Sequence, residues 1–201
     1  MIENASLYNG LGKSVVDKVI GVLKNAGIEE FGRFVDLIRN SQRIFVVGAG
    51  RSGLVGRFFA MRLMHIGKTV YIAGDTITPS IMAGDLLIAI SGSGKTPTVN
   101  DVARNARKAR AVVASFSQKG REYNELFFLS DLQIQLERRH NTLQRAFFDN
   151  NKLRTKAPNV APMGTVFEVG CLIYLELVVG EIICRDNIQE VEMQTRHANL
   201  E

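Results

Sequence analysis

The stretch "AISGSGKTPTV", Ala89 to Val99, crowds Ser91, Ser93, Thr96 and Thr98 between Gly92, Gly94 and Pro97. Hydroxyls that each donate to a phosphate oxygen, glycines that let the backbone come close, and free N–H groups at a helix start are the donor set of a phosphate monoester site. A triphosphate P-loop is a different object. Its G-x-x-x-x-G-K-[ST] pattern needs a first glycine at position 89, and this chain has Ala89 there. The plainer reading, a strand-to-helix turn with Ser and Thr caps, explains one or two of these hydroxyls but less easily all of them.

A second glycine-rich loop, "GAGRSG" (Gly48 to Gly53), fits G-x-G-x-x-G, and Asp75 follows at about the spacing of a ribose-binding acid. A nicotinamide-dependent enzyme therefore stays open. The pattern is weak on its own, because glycines at such a turn also serve close packing.

The elements that must position these loops follow from periodicity. Apolar residues at three- and four-residue spacing predict two helices, about Glu3 to Asn25 and Glu29 to Asn40. From Arg43 the pattern changes to short apolar runs, "RIFVVG", "KTVYIAG", "DLLIAIS", "AVVASFS" and "DLQIQL". Five such runs, mostly separated by helix-length segments, predict an α/β fold with a parallel sheet buried on both faces. Helices are expected from Ser52 to Gly67, through "TPTVNDVARNARKARA", and from Gly164 to about Arg185. In open sheets of this kind ligands bind beyond the carboxyl ends of the strands, where the strand order reverses. That rule selects "GAGRSG" and "SGSGKT".

A chain of 201 residues with 46% hydrophobic residues suits one domain with a core. The expected organisation is N-terminal helices over 1–40, the sheet over 43–136, an irregular or inserted segment over 137–163 with a short helix near Thr142 to Phe148, and C-terminal helices and tail over 164–201. The longest apolar stretch is broken by Glu176, Gly180 and Glu181, so no membrane span is expected. No secretory signal is visible at Met1, and two cysteines, Cys171 and Cys184, make no disulfide framework, so the expected compartment is the cytoplasm. Both cysteines sit in apolar helical sequence and are read as core. The net charge of +5 permits an acidic partner. "RNARKAR" (Arg104 to Arg110) reads as a solvated helix face rather than a nucleic-acid footprint.

Four segments together resemble a sugar isomerase (SIS) domain and, within that group, the 6-phospho-3-hexuloisomerases: "FVVGAGRSGLVGRFFAMRLMHIG", "DLLIAISGSGKT", "APMGTVFE" and "RHANLE". The resemblance implies a three-layer, doubly wound, flavodoxin-like fold with a five-stranded parallel sheet. It implies interconversion of D-arabino-3-hexulose 6-phosphate and D-fructose 6-phosphate, with no metal and no nucleotide cofactor. It also implies a homotetramer with sites near the subunit contacts. A sugar-phosphate sensor and another aldose–ketose isomerase are the alternatives. A sensor that regulates transcription usually carries a DNA-binding domain, and the residues before the first strand show no recognition helix.

Moving a carbonyl between C3 and C2 requires a base over those carbons and a proton donor for the oxygens. Glu168, on the glutamate of the resembled "PMGT-x-FE" pattern, is the candidate base; a glutamate in a first helical turn also simply suits the helix dipole. His197, in the tail, is the candidate acid, and the resemblance allows it to serve a neighbouring subunit. Ser91, Ser93 and Thr96 are the candidate phosphate ligands. Gly50, Arg51 and Ser52 complete the expected substrate pocket, Arg51 by its charge. His65, at a helix end, is read as packed, and His140 falls in the irregular segment. The histidines are too far apart in sequence, and the cysteines too isolated, to propose a metal site.

Overall fold

The computed structural model describes residues 2–120, 124–136 and 164–200. The chain runs α1 (Ile2–Lys24), α2 (Ile28–Asn40), β1 (Arg43–Gly48), α3 (Arg51–His65), β2 (Thr69–Ile72), β3 (Leu86–Ile90), α4 (Pro97–Lys108), β4 (Val112–Gln118), α5 (Glu125–Leu129), β5 (Leu132–Leu136), α6 (Thr165–Asp186) and α7 (Glu190–Thr195). All five expected strands form, and they make one parallel sheet in the order β2-β1-β3-β4-β5.

The continuous apolar runs are explained by burial on both faces. Ile44, Val46, Ile88 and Ile90 point into a core with Phe34, Phe59, Leu63, Phe116, Tyr174 and Val178. Their neighbours Phe45, Val47, Leu87 and Ala89 point the other way, onto Val99, Ala103, Ala106 and Leu126. Because side chains alternate along a strand, α2, α3 and α6 cover one face while α4 and α5 cover the other. An edge-to-face chain of rings joins α2 to α6 through the sheet's Phe116: Phe34–Phe116 at 5.2 Å and Phe116–Tyr174 at 5.5 Å. Each such fully buried side chain contributes about 1.5–3 kcal/mol, so this side anchors the middle of α6, at Tyr174, to the sheet.

Two short helices, α5 and α7, were not expected from periodicity, which needs more turns than they have. The link from β2 to β3 (73–85) has no helix. It is pinned instead by Arg43, whose Nε donates to Asp85 at 2.9 Å, and by the Met82 N–H, which donates to the same carboxylate at 2.7 Å. The cysteines divide: Cys171 is buried, with its thiol pushed well up by burial, whereas Cys184 is exposed, contrary to the reading of both as core. Thirteen residues apart on α6, they face opposite sides because a helix turns about 100° per residue. The basic stretch on α4 is a solvated ion-pair face, with Arg104 bonded to Asp101 and Glu125 and Arg107 to Asp131. No helix among the described residues is long and apolar enough to cross a membrane. The helix expected near Thr142 to Phe148 and His140 lie outside the described residues.

Candidate active site at the strand-order switch

The sheet order reverses between β1 and β3, and their ends are in register, Gly48 opposite Ile90. "GAGRSG" and "SGSGKT" therefore leave the sheet side by side, as the switch-point rule requires.

In the first loop Gly50 adopts φ 55 and ψ −132, a conformation essentially reserved for glycine, and sets the start of α3. Gly48 and Gly53 are glycine for a different reason. A Cβ on Gly48 would lie 2.9 Å from the Gly53 nitrogen, and one on Gly53 would lie 2.7 Å from the Gly48 oxygen. Close crossing of strand and helix accounts for this part of the motif without a dinucleotide. Asp75 is also engaged: both its oxygens accept from Arg57, at 2.6 and 3.1 Å, and that hydrogen bonding holds the carboxyl below its ordinary range. Neither feature of the dinucleotide reading calls for a cofactor.

The second loop is braced from within. The Ser91 Oγ, only 3% exposed, lies 2.9 Å from Thr96 Oγ1 and accepts the Gly94 N–H at 3.2 Å. The Ser93 Oγ accepts the Lys95 N–H at 3.2 Å. Ser91 thus shapes the loop, while the half-buried Ser93 and Thr96 sit at its surface and Lys95 is exposed. Among the described residues the N–H groups of Ser93, Thr96 and Thr98 donate to nothing. Together with the positive end of α4 they form a concentrated set of donors for an anion.

The start of α6 closes the site. Gly92 lies against Phe167, where a Cβ would come 3.0 Å from the ring, so the second loop rests directly on the first turn that carries Glu168. The first loop reaches the same turn through Arg51. Its Nε lies 2.8 Å from Glu168 Oε2 and its Nη1 donates to Thr165 Oγ1 at 3.3 Å. The Glu168 side chain is 15% exposed and folds back over Gly164, where a Cβ would lie 2.9 Å from Oε1. Its Oε2 is buried and, among the described residues, has no aligned hydrogen bond, so Arg51 holds it by charge rather than along a hydrogen-bond axis. Arg51, the Ser93–Thr96 loop and Glu168 are therefore brought together. Ser52 is beside them in the Gly48–Gly53 crossing.

His197 is elsewhere. It stacks on His65 with ring centroids 5.2 Å apart, and Arg196 fixes the tail there by donating to the His65 carbonyl at 3.1 Å. His65 closes α3 and Arg51 opens it, so fourteen rises of about 1.5 Å put the two ends about 21 Å apart. Within one chain His197 does not meet Glu168. The histidine pair lines a separate cleft of about 630 Å³ with Met61, Arg62, Glu176 and Met193. Burial, helped by nearby His197 and Arg62, lowers the His65 pKa. Phe167, the contact between loop and base-bearing turn, escaped the sequence reading because an aromatic on an apolar helix carries no signal beyond core. Among the described residues no group of three or more His, Cys, Asp or Glu is placed to hold a metal ion.

Residues 37–150 match the SIS domain. The chain belongs to the SIS domain family. The chain is 42% identical over 167 residues to the 3-hexulose-6-phosphate isomerase of Methanocaldococcus jannaschii, covering 83% of this chain and 81% of that one. It is 37% identical over 187 residues to the enzyme of the same name from Mycobacterium gastri, covering 93% and 88%. A crystal structure from Methanococcus jannaschii, for which a molecular function of 3-hexulose-6-phosphate isomerase is inferred, matches with a TM-score of 0.76 at 36% identity, over 93% of this chain and 97% of that one. The described sheet is five-stranded and parallel with helices on both faces.

Proposed function

We propose that this chain is a sugar-phosphate isomerase that interconverts D-arabino-3-hexulose 6-phosphate and D-fructose 6-phosphate. The observation that supports the reading is the contact of Gly92 with Phe167, which sets the SGSGKT loop, rich in anion donors, beside a carboxylate at the strand-order switch. The names of the relatives suggest the substrate, and the geometry supports the proposed division of labour.

In this reading the substrate phosphate sits on the free N–H groups and hydroxyls of Ser93 and Thr96, in the loop that Ser91 shapes. Gly50 lets the opposite loop approach the sugar, and Ser52 completes that wall. Glu168 removes the proton from C2 of the 3-ketose, giving a cis-enediolate, and returns it to C3 while a proton passes from O2 to O3. The product is the 2-ketose, and no atom is gained or lost. Charge shifts between O2 and O3 during the transfer, and Arg51 is the cation placed to stabilise it. His197 supplies the acid from a neighbouring copy in a homotetramer, since in its own chain it stacks on His65, at the opposite end of α3 from Arg51.

A coupled assay that follows fructose 6-phosphate formation from the hexulose 6-phosphate tests this. Conversion by the wild type, abolished in Glu168→Gln and weakened through KM in Ser93→Ala, supports both activity and roles. A folded wild type that binds the sugar phosphate without converting it is a sensor or acts on a different substrate.

A further inference from the structure

The Gly94 peptide is held by two side chains that the proposed chemistry does not use. Gly94 has φ 62, and a Cβ there would lie 2.1 Å from Asn124 Oδ1. Asn124, 1% exposed, packs on this glycine and caps α5 by accepting the Phe127 N–H at 2.9 Å. Behind it, the Gly94 carbonyl accepts from the Leu126 N–H at 3.3 Å and from Asn100 Nδ2 at 3.4 Å. Asn100 Nδ2 is itself aligned by Glu125 Oε2 at 3.1 Å, and Arg104 Nε anchors Glu125 at 2.6 Å.

Asn100 is an unexpected residue for its place. It is 2% exposed, next to Val99 and on the face of α4 that buries Ala103 and Ala106, and among the described residues its Oδ1 has no hydrogen-bond partner. An aliphatic side chain would fill this position without orphaning an oxygen. What the amide gains is its hold on the Gly94 carbonyl. In a trans peptide C=O and N–H point in opposite directions. A carbonyl drawn toward Asn100 and Leu126 therefore turns the Lys95 N–H toward Ser93 and keeps the negative end of this peptide out of the loop's mouth. If the peptide flipped, a carbonyl oxygen would face a bound anion.

We propose that Asn100 and Asn124 are positioning residues that lock the Gly94 peptide of the SGSGKT loop in its anion-receptive orientation, so that they set affinity for the phosphate group without touching it. The proposal rests on the reading of this loop as the phosphate site.

The test is calorimetric binding of fructose 6-phosphate and of inorganic phosphate to the full chain, with steady-state kinetics alongside. Asn100→Ala is expected to weaken both ligands about tenfold and to raise KM by a similar factor, with kcat changed by less than about threefold. Asn124→Ala gives the same pattern, and Asn124→Ser, an uncharged cap that can still accept the Phe127 N–H, recovers part of the loss. Because the lock acts through the loop, Asn100→Ala combined with Ser93→Ala is expected to lose less than the product of the single losses. Should Asn100→Ala fail to fold, Asn100→Leu, matched to the apolar face, carries the same expectation. Wild-type affinity in the folded Asn100 variant, or losses that multiply in full with Ser93→Ala, overturns the positioning role. A wild type that binds neither ligand, or a Ser93→Ala variant that binds as the wild type does, overturns the phosphate-loop reading instead, and the positioning role falls with it.

Discussion

Arg51 Nε lies 2.8 Å from Glu168 Oε2, joining the first turn of α3 to the first turn of α6 across the strand-order switch. The pair does more than tie two helices. Arg51 has 55% of its side chain exposed, so surface attraction alone is worth little, whereas the 15% exposed carboxylate is largely shielded. The cation is placed to orient the proposed base and, once Glu168 carries the proton, to face the negative charge it has released.

Removing that cation is expected to affect the transition state more than binding. Arg51→Ala should lower kcat about 100-fold, with Arg51→Lys recovering part of it, while KM moves much less. Steady-state kinetics of the two variants measures this, and a change confined to KM would assign Arg51 to binding alone.

The separation of His197 from Glu168 predicts complementation. Glu168→Gln and His197→Ala are each expected to be nearly inactive as pure preparations. After unfolding and refolding together they should form mixed pairs that pool one intact set of groups, recovering up to about a quarter of wild-type activity if the copies pair at random. Absence of recovery in mixed oligomers shown to have formed would place the acid within one chain.

Two glycines should respond oppositely to a methyl group. Gly53→Ala puts a Cβ 2.7 Å from the Gly48 carbonyl oxygen, so backbone must move, and a loss of about 1–3 kcal/mol is expected. Gly180 is exposed in α6 with nothing near the added Cβ, and Gly180→Ala should gain about 0.5–1 kcal/mol from helix propensity. Urea unfolding of both variants compares them directly.

Stability should also depend on pH through His65. Burial, with His197 and Arg62 nearby, holds this imidazole below its ordinary 6.5, so the unfolded chain binds the proton more tightly than the folded one. The stabilising contribution is full above pH 6.5 and is lost as pH falls through the lower folded value. Thermal melts at a series of pH values should show this decline, and His65→Phe, which keeps an aromatic ring against His197, should flatten it in that range.

The sheet was legible because burial on both faces leaves a signature in sequence: Arg43–Gly48 and Leu86–Ile90 read as unbroken apolar runs, and their succession carries the switch point. The SGSGKT loop, proposed here as the phosphate site, stood out in the sequence through its hydroxyls and glycines. The placement of His197 was not, since it depends on Arg196 finding the His65 carbonyl, a tertiary contact between residues 131 apart in sequence. Ser91 was read as a ligand on type alone, and only its burial and its bonds to Thr96 and Gly94 show that it braces the loop. Asn100 did leave a trace, a polar residue on the apolar face of α4, which is the kind of inconsistency that marks a site.

The Gly48–Gly53 crossing also has a mechanical meaning. It is the fulcrum of α3: the short arm ends at Arg51, and the long arm runs twelve residues, about 18 Å, to His65 and the docked tail. A rigid bar pivoted so near one end magnifies any tilt at the other, so a small angular error at the seam would swing the tail histidine well off target. The stiffness of that backbone contact, with the buried Phe59 and Leu63 along the long arm, therefore governs how accurately a chain could offer its far end to a neighbour in the proposed assembly.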